Sequence, residues 1–196
     1  MNTRCNVVLP GMEETNANYI FHSLKDEAVR TESILSRFLP ESEISKINRL
    51  AFGEPVKISN EVYSILKTCQ NYFSISNGAF DVTLYPLIKY WNEKESRHPQ
   101  ISEFRNIVRD TGMGHITLND DEKSVSFGNE NIEIDLGGFG KGYALEKMNR
   151  LLNNFAVENA FISFGESSVL TVGSHPAGDC WKVGVNNCLI PGSSHI

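Results

Sequence analysis

The sequence predicts an α+β fold, a mixed or antiparallel sheet flanked by helices, and three observations carry that expectation. Helix-period and strand-period segments follow one another irregularly along the whole chain, without the regular βα alternation of a doubly wound sheet. Two short runs of period two, residues 115–118 and 124–127, face each other across the polar stretch Asn119-Asp120-Asp121-Glu122-Lys123, the pattern of a hairpin. With 196 residues, 40% of them hydrophobic and 21% charged, the chain has enough apolar material for one domain or two small interlocked ones.

In order, Asn6-Val7-Val8-Leu9 reads as a short strand that Pro10-Gly11 ends. A helix follows over residues 14–38, with Ala17, Ile20, Leu24, Ala28, Leu35 and Phe38 on one face and Pro40 as its stop. Residues 41–49 open with cap-forming side chains and predict a short helix. After the turn Gly53-Glu54-Pro55 come a brief strand, Val56-Lys57-Ile58, and a helix from Ser59 as N-cap to about Ser76. Val62, Ile65, Leu66, Cys69 and Phe73 form its apolar side. Asn77-Gly78 stops it and places Ala79, Phe80 and Asp81 immediately beyond. Asp81 suits two roles there, a cap for the segment 82–91 or a carboxylate beside a ligand.

The polar stretch 92–100 is expected to be a surface loop, with His98 solvated, and residues 102–111 a short helix. Further on, residues 160–164 predict a buried strand, Gly165 a sharp turn, and residues 181–185 a last strand.

Composition excludes several classes of function. A net charge of -6 and the lack of a basic patch exclude broad nucleic-acid binding. Cys5, Cys69, Cys180 and Cys188 are scattered, without the paired spacing of a zinc or thiol-redox site. No apolar run is long enough to span a membrane, and no secretory signal or lipid-attachment cysteine lies near Met1. The chain as written is therefore expected in the cytoplasm; removal of an export signal from a periplasmic or anchored protein would leave the same sequence.

The stretch from Asn131 to Phe155 carries the chemistry. Ile132, Ile134 and Leu136 alternate with Glu133 and Asp135, as in a half-buried strand. Four glycines follow, Gly137, Gly138, Gly140 and Gly142. A helix then places Ala144, Met148, Leu151 and Phe155 on one face. A strand, a glycine turn and a helix start together suit a phosphate-bearing ligand. The P-loop pattern fails because Gly142 follows Lys141, and the dinucleotide fingerprint fails at Tyr143. The same glycines equally suit an unliganded turn.

Three blocks in order resemble the ApbE family of FAD:protein FMN transferases. They are Leu35-Ser36-Arg37-Phe38 through Ser42-Glu43-Ile44-Ser45-Lys46-Ile47-Asn48, Asn77-Gly78-Ala79-Phe80-Asp81-Val82-Thr83 through Pro86-Leu87, and Asp135-Leu136-Gly137-Gly138-Phe139-Gly140-Lys141-Gly142-Tyr143-Ala144. Met1-Asn2-Thr3 also resembles the opening of the family's folded domain.

The resemblance implies a transfer of the FMN half of FAD, with help from Mg2+, to a Thr or Ser of an acceptor flavoprotein, with release of AMP. It further implies FAD contacts at Met1, Phe38, Ala79, Phe80, Asp81, Asp135 and Lys141, and a Mg2+ contact through the Gly138 carbonyl. It names no catalytic side chain. Met1 and Phe38 also suit the core, Gly138 a turn, and Lys141 a solvated first helical turn. Gly165-Glu166-Ser167-Ser168 departs from the family's Gly-Gly followed by Asp or Asn. The later family segments that complete the metal site are not found before Ile196, so the chain is expected to be a C-terminally incomplete ApbE-like domain over residues 1–196. Two functions follow: FMN transfer, or binding of FAD or an adenine nucleotide without turnover. Nothing in the sequence sets the oligomeric state.

Overall fold

The structure is a computed structural model that describes residues 3–93, 101–186 and 194–195. Its elements are β1 (Cys5–Val8), α1 (Glu14–Leu35), α2 (Glu43–Leu50), β2 (Val56–Lys57), α3 (Asn60–Ile75), α4 (Tyr85–Glu93) and α5 (Ile101–Asp110). There follow β3 (Ile116–Asn119), β4 (Ser124–Phe127), α6 (Gly137–Asn154), β5 (Ala160–Phe164), β6 (Ser168–Val172), β7 (Val185–Asn186) and β8 (Ser194–His195). Every paired strand among the described residues is antiparallel. The expected α+β class holds, with small separate sheets in place of one larger sheet.

The chain divides into two compact units, residues 1–29 with 141–196, and residues 30–140; the boundaries fall inside α1 and α6. In the first unit the sheet has the order β1-β5-β6. Along β5, Ala160, Ile162 and Phe164 are buried, and they pack with Ile20 and Leu24 of α1 and Ala144, Met148 and Leu152 of α6. The period-two and period-3.6 patterns thus meet in one apolar layer. Leu151 and Phe155, expected on the central face of α6, lie at its margin, because Leu145 and Leu152 take the inner positions.

On the other face of β5, Phe161 meets the Trp181 ring at 5.5 Å, and the Trp181 indole N–H donates to the Val172 carbonyl at 3.0 Å. This explains a correction to the expected last strand: among the described residues, 181–184 form no strand, and only Val185 and Asn186 join a ladder. Trp181 is held by its side chain instead.

In the second unit the sheet has the order β2-β4-β3, and the predicted hairpin 116–127 is formed. Ser59 caps α3 by accepting from the Val62 N–H. At the other end, Gly78 donates to the Phe73 carbonyl and Asn77 to that of Ser74, with Asn77 left-handed at φ 53°. This is the C-terminal closure that Asn-Gly predicts. Val62, Ile65, Leu66 and Cys69 are buried as expected.

The first helix ends at Leu35, short of the expected Phe38. The Ser36 carbonyl beyond it accepts from the Ser42 and Ser45 hydroxyls, and the Arg37 carbonyl accepts from Ser45 at 2.9 Å. These side chains satisfy acceptors that a continuing helix would have used. Phe38 is consequently not on the apolar face: it sits in the following turn, 76% exposed.

Cys69 is buried, and burial pushes its thiol up to about 12 from 9.0, whereas Cys180 is exposed. A thiol-specific reagent at neutral pH should label Cys180 rapidly and Cys69 only after denaturant is added. Because its folded value lies above the unfolded one, the Cys69 contribution to stability is complete below about pH 9 and is lost as pH rises toward 12. Rapid labelling of Cys69 in the native protein would contradict this packing. Cys188 and His98 lie outside the described residues.

Candidate functional site

The stretch before α6 is extended, and its side chains alternate as expected. Ile132, Ile134 and Leu136 are buried, while Glu133 and Asp135 are partly exposed. It is not a strand, however, because no strand among the described residues pairs with it. The side chain of Asn48 takes the partner's place, donating to the Ile134 carbonyl at 2.9 Å and accepting from the Ile134 N–H at 2.8 Å. One carboxamide thus supplies both halves of a ladder step.

The glycine segment is also corrected. Gly137, Gly138, Gly140 and Gly142 form the first turns of α6, and none has a positive φ. Their contribution is the absence of side chains: a Cβ at Gly138 or Gly142 would meet nothing within 4 Å. These two residues are one turn apart, and both are exposed. The helix start therefore presents bare backbone, not a left-handed hinge.

Asp135 organises this corner. Its Oδ1 accepts from the Gly137 N–H at 2.7 Å, satisfying one of the donors that a helix N-terminus leaves over. Its Oδ2 accepts from Arg37 Nε at 2.8 Å, and another Arg37 nitrogen donates to Glu133 at 3.1 Å. The Arg37 guanidinium lies 3.2 Å from the Tyr85 ring centroid and 4.1 Å from that of Phe38. Two carboxylates and two rings thus surround one cation.

The segment after α3 joins the same corner. The Asp135 N–H donates to the Val82 carbonyl at 2.8 Å, which ties the two segments together at these residues. Asp81 Oδ1 accepts from both the N–H and the hydroxyl of Thr83. The buried Thr83 hydroxyl in turn accepts from the Gly112 N–H. Asp81 therefore closes a turn on Thr83 ahead of α4, which starts only at Tyr85, and does not cap a helix over 82–91 as the sequence allowed. Phe80 meets Tyr72 edge-on at 5.8 Å, and Tyr72 lies 6.4 Å from Phe139. Ala79 is exposed beside them.

Of the expected site residues, Phe38, Ala79, Phe80, Asp81, Asp135 and Gly138 all belong to the second unit, and the contacts above draw them into one region. Lys141 belongs to the first unit, one turn into α6; its Cδ lies 3.3 Å from where a Cβ on Gly165 would sit. Met1 lies outside the described residues. Sequence reasoning missed Arg37, Asn48, Tyr72 and Tyr85. One signal was legible: two carboxylates on the same side of an alternating segment call for a cation.

A cleft of about 650 Å³ opens in the second unit, lined among others by Arg37, Asn48, Arg49, Lys89, Asp110 and Glu133. It borders the Asp135 cluster through Arg37 and Glu133 but contains none of the residues expected to hold a nucleotide.

Among the described residues no three His, Cys, Asp or Glu side chains converge on a possible metal position. The Gly138 carbonyl falls within a helix, where one lone pair serves the N–H four residues on. A single such oxygen does not make up the near-octahedral set that Mg2+ demands. No described helix is long and apolar enough to cross a membrane.

The α+β fold that carries this region is of the ApbE type, as comparison with known proteins shows. The sequence pattern of the ApbE family matches residues 1–194, and the chain belongs to that family. It is 30% identical over 156 residues to a FAD:protein FMN transferase of Chlamydia pneumoniae, covering 79% of this chain and 49% of that protein. With the FAD:protein FMN transferase of Klebsiella pneumoniae it shares 27% identity, over 88% of this chain and 52% of the other. The crystal structure of the ApbE protein from Thermotoga maritima superposes with a TM-score of 0.78 at 27% identity, over 92% of this chain and 58% of that one. The fold of the flavin transferase ApbE from Vibrio cholerae matches with a TM-score of 0.80 at 22% identity, over 95% and 61%. The chain spans about half the length of the curated relatives it matches.

Proposed function

We propose that this chain provides flavin-nucleotide-binding machinery of an FAD:protein FMN transferase. The observation that carries the reading is the assembly around Asp135 of three sequence-distant blocks, residues 37–48, 79–83 and 135–139, in a chain whose relatives bear that name. Phe38 and Phe80 offer apolar faces for a ring system, Asp135 accepts from the ligand, and Gly138 and Gly142 let the diphosphate approach the backbone. The family resemblance adds Lys141, Met1, Ala79 and Asp81 as further contacts of the nucleotide.

In the reaction, a Thr or Ser hydroxyl of the acceptor flavoprotein attacks the phosphorus on the FMN side of FAD. A new phosphoester bond forms as the pyrophosphate P–O bond breaks, AMP leaves with the bridging oxygen, and the hydroxyl proton passes to solvent. Neutralising the developing charge is the role the family resemblance gives to Mg2+. The described residues supply one candidate oxygen for it, at Gly138.

Incubating the chain with FAD, Mg2+ and a threonine-bearing acceptor is expected to yield flavin covalently bound to the acceptor and free AMP. FAD binding with neither product would leave a binding module without turnover. Asp135→Ala is expected to weaken FAD binding about tenfold, the scale of one charged hydrogen bond. Unchanged affinity would remove Asp135 from the site.

A further inference from the structure

Resting on that reading, we infer that Arg37 is a positioning residue. It holds the Asp135 carboxylate in the one orientation that receives an uncharged N–H or O–H donor of the flavin nucleotide.

A carboxylate at the end of a short side chain turns freely unless both oxygens are held. Here they are: Oδ1 receives the Gly137 N–H at 2.7 Å and Oδ2 receives Arg37 Nε at 2.8 Å. Arg37 is itself immobilised. Its second bond goes to Glu133, the Tyr85 and Phe38 rings both lie against it, and its side chain is only 11% exposed, against 25% for Asp135. Lysine has neither the planar fork nor the stackable face to reproduce this.

Charge sets the class of group that Asp135 can meet. One guanidinium stands between two carboxylates, so the cluster keeps a formal excess of one negative charge. A phosphate placed there would be repelled, whereas each carboxylate oxygen retains a lone pair for a neutral donor. The diphosphate then belongs further along, toward the bare backbone of α6. Phe38 follows Arg37 directly in the chain and stacks on it, so the same residue that aims the acceptor also supports an exposed ring.

The test is a double-mutant cycle on FAD affinity, measured by calorimetry with the whole chain. Arg37→Gln and Asp135→Asn should each weaken FAD about tenfold, and the double variant should be no weaker than either, because the two residues act as one unit. Arg37→Lys should lose as much as Arg37→Gln. Losses that multiply toward a hundredfold would make Arg37 an independent ligand, and wild-type affinity in Arg37→Lys would show that charge alone suffices; either result overturns the proposal. Should Arg37→Gln fail to give a cooperative melt, Tyr85→Leu takes its place in the cycle with the same expected non-additivity. Failure of the unaltered chain to bind FAD would instead sink the functional reading beneath it.

Discussion

Replacing Gly173 with alanine should destabilise the first unit by at least about 3 kcal/mol, the scale of a strained backbone position combined with a hard clash. Gly173 closes β6 at φ 59°, a conformation that a side chain disfavours. A Cβ there would lie 2.1 Å from the Glu158 carbonyl oxygen and 2.3 Å from Asn159 Oδ1. Neither atom is the loose end of a flexible side chain. The first is backbone leading into β5, and the second already accepts from the Ser174 N–H at 2.8 Å. Relief requires separating β5 from β6, whose pairing runs from Ala160 with Val172 to Phe164 with Ser168. Thermal melting should fall by roughly 10 °C for a chain of this size. Gly178→Ala is the internal comparison, since a Cβ there meets nothing within 4 Å; it should change stability by less than about 0.5 kcal/mol. Equal melting of both variants would mean that the turn at Gly173 is not closed as described.

Asn48→Ala should cost about 2 to 4 kcal/mol, because it removes both hydrogen bonds of a residue, Ile134, that is fully buried. The donor and acceptor left behind have no strand to turn to, since the segment 132–136 lies outside every sheet. The loss should also reach function. Asp135 is the next residue, and once Ile134 is unpinned its carboxylate no longer meets Arg37 and Gly137 in fixed geometry. Denaturant titration should show the lower midpoint, and FAD affinity should fall together with it. A variant that kept wild-type stability would show that Asn48 is not the partner of this segment.

Much of the local structure was legible because its causes lie within a few residues. The Ser59 cap, the Asn77-Gly78 closure and the hairpin across 119–123 each depend on neighbours in sequence, and each formed where expected. The misreadings arose where a distant group intervened. Alternation in 132–136 was real, but the partner that makes such a segment a strand was replaced by a side chain. The four glycines suggested a turn because their backbone freedom is conspicuous, yet they were accommodated as helix. Phe38 fitted the helical period, but hydroxyls from Ser42 and Ser45 took over the carbonyls beyond Leu35.

For the candidate site the division is sharper. Asp135, Asp81, Phe80 and Phe38 could be singled out in the sequence, but not the groups that aim them. Arg37 meets Asp135 across 98 positions and Asn48 meets Ile134 across 86, distances over which no local pattern carries information.

Alone, the sequence determined the α+β class, most element positions, the apolar faces and the family, because periodicity, caps and motifs are short-range properties. Only the tertiary structure decided that 132–136 is held by Asn48 and that Arg37 is enclosed by two carboxylates and two rings. Such pairings depend on chain closure over long loops, where geometry in space, not order in sequence, selects the partner.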